Sequence, residues 1–111
     1  MMDHAVITEW AIVSLKRFPD AEPTQHIVGY IKHHPILSPK NELRAQPYCS
    51  TALKTVDLGK KVGTNTNDFR IFLEGDALPK TGEMPWELRF LLQDLYHRWK
   101  LPKEAVFERI I

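Results

Sequence analysis

Cysteine is almost absent from this 111-residue chain, where Cys49 stands alone. No intramolecular disulfide can form, and a reducing cytoplasm is the expected location. The five glycines are scattered, so no Gly-rich loop is available to cradle a phosphate. No apolar run approaches the roughly 18 residues of a membrane span, and no membrane association is expected. The opening stretch, MMDHAVITEWAIVSLKR, lacks the basic start, apolar segment and small-residue cleavage site of a secretory signal. Charge of one sign is missing as well. The net charge of +1 argues against a dedicated nucleic-acid binder, which carries a pronounced basic excess. Metal-ligand spacings such as His-Glu-x-x-His do not occur, so no metal and no cofactor are expected.

What is present suits one small globular domain spanning 1–111. Three Trp, three Tyr and five Phe supply enough bulk for a core without metal or disulfide. Residues 5–75 read as strand-rich. Val6 to Leu15 is dense in β-branched and aromatic residues, although its spacing also tolerates a short helix. The two prolines of Arg17–Pro23 make a loop. In His26 to His33, alternation puts His26, Val28, Tyr30 and Lys32 on one face and Ile27, Gly29, Ile31 and His33 on the other. Gly29 marks a bulge or a close backbone approach. Tyr48 to Val56 reads as a further strand, Asp57-Leu58-Gly59-Lys60 as a turn with Gly59 for a positive φ, and Asn65-Thr66-Asn67-Asp68 as a hairpin connection.

Residues 76–84 read as a linker and 85–109 as helical. Pro85 suits a first helical turn. Leu88, Leu91, Leu92, Leu95 and Trp99 then recur at three- and four-residue spacing. Burying each such residue is worth roughly 1.5–3 kcal/mol, enough to dock the helix on an open sheet face. Pro102 ends this helix, and a second short one is expected through Phe107. The expected fold is α+β: about five short strands in a largely antiparallel sheet, or an SH3-like partly open barrel, with a C-terminal helix.

Three functional readings compete. His33 and His34 are adjacent on a strand, so their imidazoles point to opposite faces and cannot readily share a metal. Cys49 with His26, His33 or His34 as base would make a hydrolase or transferase, but nothing local lowers the thiol pKa or orients a partner. The basic segment containing Lys32, Lys40, Arg44, Lys54, Lys60 and Lys61 would make a weak nucleic-acid binder. The third reading is protein binding. Trp86 and Phe90, and in part Tyr96, lie off the leucine stripe, as aromatics on partner surfaces do, unless the C-terminal tail covers them. Lys32, His34 and Arg44 are added as polar contact candidates, and open sheet edges offer a second route.

The stretch beginning at Trp10, with Gly29, His34-Pro35, Ser50-Thr51, Val62-Gly63-Thr64 and Phe69-Arg70-Ile71, resembles a loose group of small uncharacterised bacterial and phage proteins. That group shows Gly-x-x-x-His-Pro, then Thr-Ser, then Val-x-Thr before an aromatic residue. Here Gly29 is one residue further from His34, and Ser50-Thr51 reverses the order. The resemblance covers roughly residues 10 to 73 and implies a compact β domain without a known activity. The reading as a whole is a small non-enzymatic protein-binding module, monomer or homodimer. Its expected role is a phage- or mobile-element-encoded inhibitor or regulator of a host protein complex.

Overall fold

The apolar N-terminal stretch forms the longest strand, β1 (His4–Lys16), in a computed structural model that describes residues 4–34, 46–79 and 84–111. It is followed by β2 (Thr24–His33), β3 (Gln46–Cys49), β4 (Leu53–Asp57), β5 (Val62–Asn65) and β6 (Arg70–Glu74). The single helix among the described residues, α1 (Trp86–Arg98), precedes the last strand, β7 (Val106–Arg109). The sheet order is β3-β2-β1-β6-β5-β4, with β7 added beside β1. The sheet curls without closing into a barrel, because β3 and β4 are its two ends and do not pair.

Three expectations are corrected here. The described residues hold seven strands, not about five, in a sheet that is largely antiparallel as expected but mixed, because β6 runs parallel to β1 from His4↔Arg70 to Thr8↔Glu74. The strand expected over 48–56 breaks at Ser50, whose N–H donates to the Ile27 carbonyl at 2.8 Å while its Oγ accepts from the Ile27 N–H at 2.9 Å. These two bonds hold the chain at a corner between β3 and β4. The second helix is instead strand β7. Parallel pairing with β6 ends at Thr8, leaving the same edge of β1 free at its far end, and the β-branched and aromatic tail pairs there from Val13↔Arg109 to Lys16↔Val106.

A bulge decides where β1 points its side chains. The pairs Thr8↔Tyr30 and Ala11↔Val28 leave Glu9 and Trp10 together opposite Gly29. Glu9 takes a left-handed backbone with φ 49°, the conformation that usually selects glycine. The extra residue shifts the alternation by one. Ala5 and Ile7 before it, and Trp10 and Ile12 after it, therefore enter the same cluster. Gly29 permits the close approach, since a Cβ there would lie 2.5 Å from Ile7 Cγ2 and 2.9 Å from the Thr8 carbonyl oxygen.

Two apolar clusters result. Inside the curl, Ala5, Ile7, Trp10 and Ile12 meet Ile27, Ile31, Ile71 and Leu73. Outside it, Ala11, Val13 and Val28 meet Leu92 and Leu95 of α1. The helix runs antiparallel to β2: Tyr30 Oη donates to Glu87 at its start (3.0 Å), and the His26 ring lies 5.2 Å from Trp99 at its end. Pro85 is the residue before the helix, not its first turn. At the other end Leu101 N–H donates to the Tyr96 carbonyl at 3.0 Å and Lys100 N–H to that of His97 at 3.2 Å. This is a Schellman ending in which Lys100, at φ 49°, stands where glycine is usual. The turn before β5 repeats the pattern: Lys61 at φ 52°, not Gly59, takes the left-handed position.

Candidate functional site

Helical spacing sorts the apolar residues of α1 into two rows. Leu88, Leu92 and Leu95 are buried against the sheet. Trp86 and Phe90, one turn apart, form a second row that the sheet does not reach, and they remain 67% and 68% exposed. Beside this ridge lies a groove of about 570 Å³ between α1 and β7, lined by Trp86, Phe90, Gln93 and Tyr96 from the helix and by Val106 and Phe107 from the strand. Val106 is 58% exposed and extends the apolar surface across the groove. Arg89 also lines it, its Nε donating to the Met84 carbonyl at 3.0 Å.

Of the aromatics singled out in the sequence, Trp86, Phe90 and Tyr96 thus come together. Tyr96 is only half available: its hydroxyl donates to the Ala105 carbonyl, and its ring meets Phe107 edge-on at 5.9 Å. The tail therefore covers Tyr96 and leaves the other two bare. Val106 was missed in the sequence, because residues 85–109 read as helical and the pairing that exposes it depends on the free end of β1.

The polar candidates lie elsewhere. Lys32 forms an exposed ion pair with Glu74 at 2.7 Å. His34 is 8% exposed, with its ring 5.6 Å from that of Tyr48 and 5.4 Å from that of Phe69, so it is a packed side chain and not a surface contact. Its pKa is lowered, first by burial and then by His33. Arg44, like Lys40, falls outside the described residues. Lys54 pairs with Asp68 at 3.2 Å, and Lys61 donates to the Gly75 carbonyl at 3.0 Å with Asp76 at 3.9 Å. The basic segment therefore spends Lys32, Lys54 and Lys61 on neighbouring acids.

The cysteine–histidine pairing finds little support in the geometry. Burial pushes the Cys49 thiol up to about 12, far from a thiolate at neutral pH, and its Sγ points to the Ser50 carbonyl at 3.6 Å. His26 uses both ring nitrogens elsewhere. Nδ1–H donates to the Ser50 carbonyl at 2.9 Å, and Nε2 accepts from the Thr24 hydroxyl at 2.7 Å. Burial is the main cause that lowers its pKa, with Arg17 adding to it and the Ser50 bond opposing. His33 and His34 do separate as alternation requires: the His33 ring lies 5.5 Å from that of His4, and His34 sits with Tyr48 and Phe69. Among the described residues no three His, Cys, Asp or Glu side chains gather as a metal site, and no helix is long and apolar enough to cross a membrane.

Sheet edges offer less than the ridge. At one end β3 has four residues and includes Pro47, which cannot donate to an added strand. At the other end β4 carries Lys54 and Asp57, charges that discourage edge pairing. Among the described residues, the Trp86–Phe90 ridge and its groove form the candidate contact surface. Compared with known proteins, the chain matches no protein family, no curated protein and no solved structure.

Proposed function

We propose that this protein is a non-enzymatic protein-binding module whose contact surface is the Trp86–Phe90 ridge with the groove between α1 and β7. One observation carries the reading: two large aromatic side chains are about two-thirds exposed beside an apolar groove, while the leucines of the same helix are buried. Aromatic anchors beside pockets supply most of the energy in protein interfaces. Occupying a partner's surface is enough to inhibit or regulate a complex, and that is the role assigned here.

The test is capture of partners from an extract of the source organism with wild-type protein and with a Trp86→Ala/Phe90→Ala variant. A partner held by the wild type and lost by the folded variant supports the reading. Equal capture by both proteins, or loss of an enzymatic activity on Cys49→Ala, contradicts it. Nucleic-acid binding that weakens steeply with salt would favour the basic segment instead.

A further inference from the structure

We infer that the occupant of this surface is a second copy of the chain, the Trp86–Phe90 ridge of each copy seated in the α1–β7 groove of the other across a two-fold axis. The inference deepens the protein-binding reading and rests on it. A two-fold interface requires one patch to be complementary to itself, so that residue i meets j while j meets i. Here the projecting rings and the groove adjoin on one face, and Trp86 and Phe90 belong to both. The groove also suits an aromatic guest. Its walls include Tyr96 and Phe107, which favour edge-on or offset ring contacts, and the guanidinium of Arg89, which attracts a ring face. The chain presents two such rings beside it.

Area and charge fit the same occupant. An aromatic side chain buries about 150–250 Å² when covered, so two rings two-thirds exposed leave roughly 250 Å² bare. With Val106 and the groove walls, the patch is on the order of 400 Å², the size of the largest apolar patches on monomers. Two such patches come to about 800 Å², so the polar rim around them has to supply the remainder of the roughly 1,000 Å² that a specific interface needs. The row Trp86, Phe90, Gln93 and His97 contains no carboxylate, lysine or arginine, and the neighbouring Asp94 and Arg98 neutralise each other at 2.7 Å. A net charge of +1 gives no field to steer a strongly charged partner and little repulsion between copies.

The experiment is sedimentation velocity from ~1 to ~200 µM, a range that spans micromolar dissociation constants. The wild type should rise from 12.9 kDa towards twice that mass. Phe90→Glu should weaken association by at least about 30-fold, the loss expected of a central hot spot, with an unchanged urea midpoint under dilute conditions. A monomer throughout, assembly that continues past the dimer, or a dimer indifferent to Phe90→Glu would overturn the inference. If the protein stays monomeric while Phe90→Glu still abolishes a captured partner, the second copy is the wrong occupant and the protein-binding reading stands. If neither association nor capture responds to Phe90→Glu, both fall.

Discussion

One helix carries two apolar rows with opposite fates. Leu88, Leu92 and Leu95 are buried, the last two against Ala11, Val13 and Val28 of β1 and β2, while Trp86 and Phe90 stand in water about half a turn away, on the opposite side of the helix. The side chains are of similar hydrophobicity, so composition does not separate them. Position does: the sheet can cover one stripe of a helix, and the tail strand β7 reaches only as far as Tyr96. Apolar surface on the buried row contributes to folding. Surface on the bare row contributes nothing there until another molecule covers it, and this makes it the candidate for function.

The contrast can be broken most forcefully from the buried side. Leu95→Ala removes a buried contact with the sheet and should cost about 2–5 kcal/mol in urea unfolding; an unchanged midpoint would mean that α1 is not docked through that row. Ser50→Ala should cost about 1–3 kcal/mol, because the Ile27 N–H loses its acceptor inside the protein. The same junction responds to pH. Burial lowers the pKa of His26 from 6.5 in the folded state, so below that value the unfolded chain binds the extra proton. His26 therefore contributes stability that is fully present above pH 6.5 and declines as the pH falls towards the folded-state value. Urea midpoints should drop on acidification through this window, with a shallower drop in a His26→Gln variant. Lys100→Gly and Glu9→Gly should each stabilise by about 1 kcal/mol, since both residues hold left-handed backbone that glycine adopts freely. Lys100 ends the helix and Glu9 sets the face of β1, so a loss of stability in either variant would deny those backbone conformations.

The features readable from the sequence were local ones. The leucine spacing located α1 and predicted that Trp86 and Phe90 would lie off its buried stripe. Asn65 to Asp68 marked a true turn, in which Asn65 Oδ1 accepts from the N–H groups of Asn67 and Phe69 at 2.9 Å each. Gly29 marked a close approach, although the bulge itself sits on the partner strand. What escaped the sequence depends on distant partners. The corner at Ser50 exists because Ile27 lies across from it, and β7 exists because β6 leaves part of β1 unpaired. Glu9, Lys61 and Lys100 occupy backbone positions where glycine would have been the visible signal. Half of the groove was hidden for the same reason, since Val106 belongs to a strand that only tertiary pairing creates.

The Trp86–Phe90 row supplies contact surface and not folding energy. The most direct test of this is the unfolding free energy of the Trp86→Ala/Phe90→Ala variant, measured at about 1 µM so that any association is diluted away. The expected value lies within about 0.5 kcal/mol of wild type, as for surface substitutions. A loss of about 2 kcal/mol or more would show that the two rings belong to the core, and would contradict it.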